Sequence, residues 1–287
     1  MFEYDDLVET FTELVRRAST QLPADVRAAL QKGREREQED SLALKALDTI
    51  SENVTLAAEN SAPICQDTGT PVVWISYPVG VSTRTLAKAF TAAVERATER
   101  KFLRPNAVDT LTGRNTGTGT GRGIPSLHFH EWDEQALEVR MILKGGGSEN
   151  VGTQYKLPEP RLEAGRDLEG VRRVVLDAVV EAQGKGCAPG VLGICIGGDR
   201  VSGAERAKEQ ILRSVEDSSP DPVLAELEDF VMTKSGELAI GPMGFGGTTT
   251  LLGCKVAKAN RLPASFFVSV AYMCWASRHR AMTISKG

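Results

Sequence analysis

Apolar residues recur every three to four positions through the first part of the chain, and this period predicts helices. In DLVETFTELVRRAS, the side chains of Leu7, Phe11 and Leu14 fall on one helical stripe. Pro23 stands where a proline opens a second helix, and the Asp–Ser pair at 40–41 is a cap signal for a third. We therefore expect a helical region over about residues 1–60, packed on the remainder of the chain.

Beyond residue 60, strand-like and helical patterns follow one another. PVVWISYPV predicts a strand, and TRTLAKAFTAAVERATERKFL predicts a long amphipathic helix. The runs SLHFHEW and ALEVRMIL, separated by a short polar break, predict a β-hairpin. Helices and strands then alternate up to the strand that ends near Cys274. Because a hairpin and a helical block interrupt the alternation, we predict an α+β fold, with residues 1–287 as a single catalytic domain.

The charge balance gives the chain no general attraction to polyanions. It carries 34 basic and 38 acidic residues, a formal net charge of −4. We therefore expect no nucleic-acid partner and no anionic membrane partner. No apolar run has the length of a membrane span, and the first residues lack the basic and apolar regions of a signal peptide. These features predict a cytoplasmic protein.

The five cysteines divide into two groups by their local sequence. Cys195 and Cys254 lie inside apolar, strand-like runs, which is typical of buried core thiols. Cys65, Cys187 and Cys274 stand at the boundaries of predicted elements, next to turns or basic residues. An odd number of cysteines without a CxxC pair argues against a disulfide framework and a zinc ribbon. Three boundary thiols would suit an iron–sulfur cluster, but their spacing alone is a weak signal, since several other triples of cysteines are possible and a buried core thiol is the default interpretation.

The glycine-rich segments do not match the common phosphate-binding loops. GTGTGRG precedes a predicted strand, whereas a dinucleotide fingerprint follows a strand and opens a helix. KGGGSEN lacks the lysine and hydroxyl spacing of a nucleotide-triphosphate loop. The three consecutive glycines of KGGGSEN instead predict a place where the backbone approaches another group closely, and the long loop that contains GTGTGRG is typical of a functional or disordered segment.

Four motifs taken in order resemble one protein family. ICQDTGT, KGGGSEN, CAPGVLGICIGG and GPMGFGGTTTLLGCKV together are similar to the α subunit of class I fumarate hydratase, a family that includes tartrate dehydratase α subunits. The resemblance covers nearly the whole chain. It implies a hydro-lyase that hydrates fumarate reversibly to malate, a step of the tricarboxylic acid cycle, with a 4Fe–4S cluster held by Cys65, Cys187 and Cys274. Three protein ligands on four irons would leave one iron open to substrate.

The same resemblance implies which residues meet the small dicarboxylate substrate. Gln66 and Asp67 match the family's substrate-contacting and catalytic pair, and Arg104 matches an arginine that clamps a carboxylate. Gly146 or Gly147 would donate a backbone N–H to the substrate. From the residues alone, the preferred interpretations are that Asp67 forms an Asx-turn and that Arg104 caps the C-terminus of the preceding helix.

Two features bear on activity and assembly. Related sequences have a histidine about a dozen residues before the third cysteine, whereas this chain has none there, and Asn260 is the nearest candidate to replace it. The sequence ends soon after the Cys274 motif, so the resemblance implies a separate β subunit in an α2β2 complex, or a homodimer of α chains. The alternatives are a tartrate dehydratase α subunit and a catalytically silent homologue that binds a dicarboxylate or a partner.

Overall fold

Helices at the beginning of the chain form where the apolar period predicts them. In the computed structural model, which describes residues 2–285, α1 is Tyr4–Thr20, α2 is Ala24–Arg34 and α3 is Leu42–Glu59. The apolar stripe of α1 is buried, with Phe11 and Leu14 at most 1% exposed. The prediction of three helices in this region is confirmed.

Eight strands and five further helices complete the regular structure of residues 2–285, apart from short 3₁₀ turns. The strands are β1 (Thr70–Pro78), β2 (Ser126–Trp132), β3 (Ala136–Lys144), β4 (Thr153–Lys156), β5 (Gly190–Ile196), β6 (Leu251–Lys258), β7 (Phe267–Met273) and β8 (His279–Ser285). The helices are α4 (Thr83–Glu99), α5 (Gly146–Asn150), α6 (Leu168–Ala182), α7 (Arg200–Gln210) and α8 (Pro222–Glu237). With 42% helix and 23% strand in mixed sheets, the fold class is α+β, as predicted.

The chain divides into two compact units. The first unit comprises the residues up to Pro23, Asn53–Gly145 and the residues from Arg278 on. The second unit comprises Ala24–Glu52 and Gly146–Ser277. Whether the chain acts as one catalytic domain stays a prediction.

The first unit is a four-stranded sheet in the order β2-β1-β3-β8, covered by α1 and α4. Helix α1 packs on α4 through Phe11 and Phe90, whose ring centroids are 5.1 Å apart. Helix α4 ends at Glu99, four residues before the end of its predicted pattern. Strand β8 was not predicted, because HRAMTIS alternates exposed and half-buried residues instead of forming an apolar run.

The predicted hairpin is wrong. Strands β2 and β3 form where expected, but β1 lies between them, parallel to β2 and antiparallel to β3. Strand β1 has the most apolar central run of the three, with Val73, Trp74 and Ile75 almost completely buried. A central position pairs both edges of such a strand and keeps it away from the solvent-exposed edge of the sheet, so β1 lies between β2 and β3.

The second unit is a four-stranded sheet in the order β4-β7-β5-β6. Strand β5 runs parallel to β6 and antiparallel to β7, and helices α6 and α8 contribute Val174 and Leu227 to its core. Within residues 2–285, no helix is both long and apolar enough to cross a membrane.

Candidate functional site

The turn that carries Cys65 is anchored immediately before the cysteine. Ile64 is buried, its N–H donates to the carbonyl oxygen of Ser19 at 3.0 Å, and its own carbonyl accepts from Asn53 Nδ2 at 2.8 Å. Cys65 itself is half-buried, so its thiol lies at the edge of an ordered segment. The local sequence predicted this setting correctly: an apolar residue fixes the chain, and the thiol then enters a polar turn.

Asp67, which the sequence predicted either to contact substrate or to form an Asx-turn, does form an Asx-turn. Its Oδ1 accepts a hydrogen bond of 3.1 Å from the N–H of Gly69. Gly69 has a φ of +73°, and a Cβ at that position would lie 2.7 Å from the carbonyl carbon of Lys144. Only glycine satisfies both conditions, so Gly69 sets the shape of the turn. The second carboxylate oxygen of Asp67 points toward Gly145, so the turn does not use the whole side chain.

Arg104 is tied to the same turn and does not cap a helix. The buried hydroxyl of Thr68 accepts hydrogen bonds from Arg104 N at 3.0 Å and from Asn106 Nδ2 at 3.1 Å. Arg104 Nη1 donates to the carbonyl oxygen of Gln66 at 3.3 Å. The guanidinium is exposed, and no carboxylate of residues 2–285 forms an ion pair with it. Most of its hydrogen-bonding fork is therefore available for a carboxylate ligand.

Arg278 belongs to the basic residues behind Cys274, which the sequence marked only as groups that could meet a charged ligand. Its side chain is 1% exposed, and its Nη1 donates to the carbonyl oxygen of Asp67 at 2.8 Å. Its own carbonyl accepts from the N–H of Leu143 at 2.9 Å. The basic cluster behind Cys274 was the available signal, but the partner of Arg278 lies 211 residues away along the chain.

In the second unit, Cys187 has an unusual backbone conformation. Its φ of 54° places it in the left-handed region, which non-glycine residues rarely occupy. The N–H of Cys187 donates to the carbonyl oxygen of Gly184 at 3.0 Å. The carbonyl of Cys187 accepts a hydrogen bond of 3.1 Å from the N–H of Trp275, which directly follows Cys274. The backbones of these two half-buried cysteines are therefore neighbours.

Tyr272 packs against the Cys187 turn. A Cβ at Gly186 would lie 2.6 Å from its ring, and one at Gly190 would lie 2.3 Å from it, so both glycines leave room for the tyrosine. Burial raises the pKa of the Tyr272 hydroxyl, and the nearby thiols of Cys274 and Cys187 raise it further.

The second glycine-rich motif, GPMGFGG, braces the Cys187 turn. The N–H of Met243 donates to the carbonyl oxygen of Ala188 at 2.8 Å. A Cβ at Gly184 would lie 2.7 Å from the carbonyl oxygen of Met243. The motif thus contacts the backbone on both sides of Cys187. This close packing explains why the two segments are rich in glycine.

The KGGGSEN segment is not simply a loop. Lys144 ends β3, and Gly146 and Gly147 open the short helix α5. The backbone at Gly147 is accessible, because the nearest atom to its absent Cβ is the carbonyl oxygen of Lys185 at 3.9 Å. Close approach of another group to this glycine is therefore sterically possible, as the sequence predicted.

The other two cysteines differ from the three at element boundaries. Cys195 and Cys254 are at most 2% exposed, in β5 and β6. Burial raises the pKa of each thiol, so both are protonated at neutral pH. Metal ligation requires a thiolate, which makes these two residues poor ligands. The division of the cysteines by local sequence therefore agrees with their environments.

The chemistry of the donor set suits an iron–sulfur cluster. Cys187 and Cys274 are linked through the N–H of Trp275, and Cys65 is the third cysteine that is not buried. Within residues 2–285, no three His, Cys, Asp or Glu side chains form a group that could hold a metal ion. The chemistry of the thiols and the pairing of two of them fit the cluster.

Asn260 does not lie near Cys187 and Cys274. This argues against the prediction that it replaces the family's histidine in the substrate pocket. Cys187 precedes the start of β5, and Cys274 follows the end of the antiparallel β7, so both lie at one end of the sheet. Asn260 follows the end of β6, which is parallel to β5, and its carbonyl accepts from Gly198 N at 3.2 Å. The length of the strands separates the asparagine from these cysteines by about 20 Å.

Comparison with known proteins identifies the family. Residues 8–283 match the family model described as fumarate hydratase (Fumerase). The chain belongs to the fumarate hydratase family.

Individual relatives carry two kinds of name. A protein of Geobacillus stearothermophilus, named "Putative fumarate hydratase class I", is 48% identical over 98% of this chain and 55% of its own length. "Putative L(+)-tartrate dehydratase subunit alpha" of Methanocaldococcus jannaschii is 34% identical over 94% of each chain. "L(+)-tartrate dehydratase subunit alpha" of Escherichia coli is 29% identical over 97% of this chain and 90% of its own. The chain thus spans about half the length of the first of these relatives.

Proposed function

We propose that this chain is the α subunit of a 4Fe–4S hydro-lyase that hydrates fumarate reversibly to malate. The observation that carries the proposal is the pairing of Cys187 with Cys274 in one unit, joined through the Trp275 N–H. Neither cysteine is buried in the core, whereas the two remaining cysteines of the same unit are. Cys65 is the third proposed ligand, so the cluster would be held by three thiolates. Such a cluster supplies a Lewis-acidic iron that polarises a substrate oxygen.

The residues of the Cys65 turn supply the polar chemistry. Asp67 has one carboxylate oxygen beyond its Asx-turn, and we assign Asp67 and Gln66 as the catalytic pair that contacts the substrate and handles its proton. Arg104 binds a substrate carboxylate, since its guanidinium is exposed and unpaired with acid. Gly146 or Gly147 approaches the substrate with its backbone N–H, which the open space at Gly147 supports.

Fumarate is the first proposed substrate because the most identical of the relatives above is named for it. Tartrate is the second, because two relatives matched over most of their own length are named as tartrate dehydratase α subunits. Both are small dicarboxylates, so the same arginine and carboxylate would serve either reaction. We infer a cytoplasmic enzyme.

A separate β subunit completes the proposed enzyme. Two relatives are named as α subunits, and about half of the Geobacillus protein lies outside the match. We propose an α2β2 complex, with a homodimer of α chains as the alternative. The stretch KVAKANRLPASFFVSVAYMC, which ends at Cys274, contains no histidine. This favours the remaining alternative, a silent homologue that binds a dicarboxylate or a partner without turnover.

The deciding experiment is co-expression with a β-type chain, anaerobic purification, and assay on fumarate, malate and L(+)-tartrate. The proposal predicts interconversion of fumarate and malate that requires both chains. Turnover of tartrate alone would select the second substrate. A complex with a full complement of iron and no turnover of any of the three would support the silent homologue.

A further inference from the structure

Arg278 is the most deeply buried cation of the first unit, and its hydrogen bonds are incomplete. Its side chain is 1% exposed, and its Nη1 bonds to the main-chain carbonyl of Asp67. Its Nε has no hydrogen-bond partner within residues 2–285. A buried guanidinium is costly to keep when it forms so few bonds. The fold therefore retains this side chain at a cost to stability, at a position beside the proposed cluster ligand and the proposed catalytic acid.

Gly145 brings the Asp67 carboxylate and the Arg278 guanidinium to one point. A Cβ at Gly145 would lie 2.9 Å from Asp67 Oδ2 and 3.5 Å from Arg278 Nη2. The absent Cβ of Gly69 would in turn lie 3.0 Å from the N of Gly145. The carboxylate, the guanidinium and two glycine backbones thus occupy a space that accepts no further side-chain atom.

We propose that Arg278 is a positioning residue that fixes the Cys65–Asp67 turn. The Arg278 guanidinium donates to the carbonyl of Asp67, which lies two residues after Cys65. The backbone of Arg278 is itself anchored, because its carbonyl accepts a hydrogen bond from the N–H of Leu143 in β3. The bond therefore ties the turn to the sheet. The inference deepens the proposed function, on which it rests for the roles of Cys65 and Asp67. Arg278 acts through these two residues and does not itself react.

The strength of this contact depends on the shape of the guanidinium. A hydrogen bond from a charged donor to a carbonyl is stronger than one from a neutral donor. Lysine keeps the charge but lacks the planar fork and its reach. Arg278→Lys should therefore release the turn while retaining a cation at the position.

A matched control lies two residues further along the chain. Arg280 is also an arginine of the first unit that donates to a main-chain carbonyl, that of Gln21 at 2.8 Å. Arg280→Lys removes a contact to the main chain at the end of α1 and leaves the bond between Arg278 and the Asp67 carbonyl in place. Any general loss of stability should affect both variants alike, whereas release of the Cys65 turn should be specific to Arg278→Lys.

The test measures thiol alkylation in the full, metal-free chain, with rates for Cys65 and Cys187 obtained by peptide mass spectrometry. We expect Arg278→Lys to raise the rate at Cys65 about threefold or more relative to Cys187, because local opening of the turn becomes easier. Arg280→Lys should leave this ratio unchanged. Equal ratios in wild type and Arg278→Lys, or an equal rise in both variants, would overturn the proposal.

A second variant covers the case in which Arg278→Lys does not fold. Gly145→Ala keeps Arg278 but inserts a methyl group against Asp67 Oδ2 and Arg278 Nη2. It should also raise the Cys65 rate relative to Cys187, and an unchanged ratio would count against the proposal. Reconstitution of the wild-type chain with iron and sulfide is scored separately. If the wild-type chain binds no iron, the proposed function is refuted. The alkylation rates would still show whether Arg278 fixes the Cys65–Asp67 turn.

Discussion

The N–H of Trp275 donates a 3.1 Å hydrogen bond to the carbonyl oxygen of Cys187. This bond joins the residue after Cys274 to a cysteine held at a φ of 54°. Left-handed conformations of non-glycine residues cost free energy and tend to occur at functional sites. The backbones of the two cysteines are thus held next to each other by this hydrogen bond.

The strain at Cys187 is testable without metal. Cys187→Gly and Cys187→Ala both remove the thiol, but glycine accepts a positive φ without steric cost. The metal-free Cys187→Gly chain should therefore be more stable than Cys187→Ala, by about 1 kcal/mol. Urea unfolding of the two variants measures the difference.

Cys195 supplies the control for that comparison. It lies inside β5, is fully buried, and is not among the residues with a positive φ. There, Cys195→Gly should be less stable than Cys195→Ala, by about 0.5–1 kcal/mol. The same sign at both positions would show that the backbone of Cys187 is not strained.

Arg104 should bind a substrate carboxylate through two N–H groups of its guanidinium. A charge-assisted guanidinium–carboxylate pair is worth about 1.5–3 kcal/mol, so Arg104→Ala should lower the catalytic efficiency of the αβ complex about tenfold or more. Lysine cannot form the bidentate contact, so Arg104→Lys should be nearly as damaging. Both variants should retain iron, because Arg104 is not a proposed ligand.

Iron content is the control in the Arg104 experiment, since lost efficiency with lost iron would indicate a damaged site. Near-normal efficiency of Arg104→Lys would mean that a charge suffices at this position. In that case the substrate carboxylate is held by other residues.

Exposure to air should inactivate the loaded enzyme. An iron without a protein ligand is accessible to oxidants, and oxidation of the cluster would release it. Activity and visible absorbance should therefore fall together in air and be preserved under nitrogen. Activity that persists for hours in air with an unchanged spectrum would indicate a fully ligated cluster or none.

Local sequence predicted those parts of the fold that depend on local pattern. The apolar stripe of α1 and the buried run of β5 were visible because their periods are regular. The pairing of β2 with β3 was wrong, because chain proximity favoured a hairpin while burial of β1 required a central strand. Strand β8 was missed because its edge-like alternation carries little apolar signal.

The candidate site was predictable to a similar degree. The three boundary cysteines stood out because a thiol in a polar turn is unusual. The role of Arg278 has no local signature, because its partner Asp67 is distant along the chain. The left-handed backbone of Cys187 was also unpredictable, since its contact with the N–H of Trp275 is distant along the chain.

The central claim is that three particular cysteines hold a cluster, and iron and sulfide analysis of five Cys→Ser variants tests it most directly. After anaerobic reconstitution, wild type should approach four irons and four sulfides per chain, as a 4Fe–4S cluster requires. Cys65→Ser, Cys187→Ser and Cys274→Ser should each lose most of this iron, whereas Cys195→Ser and Cys254→Ser should retain it. Loss of iron in Cys195→Ser together with retention in Cys187→Ser would contradict the assignment.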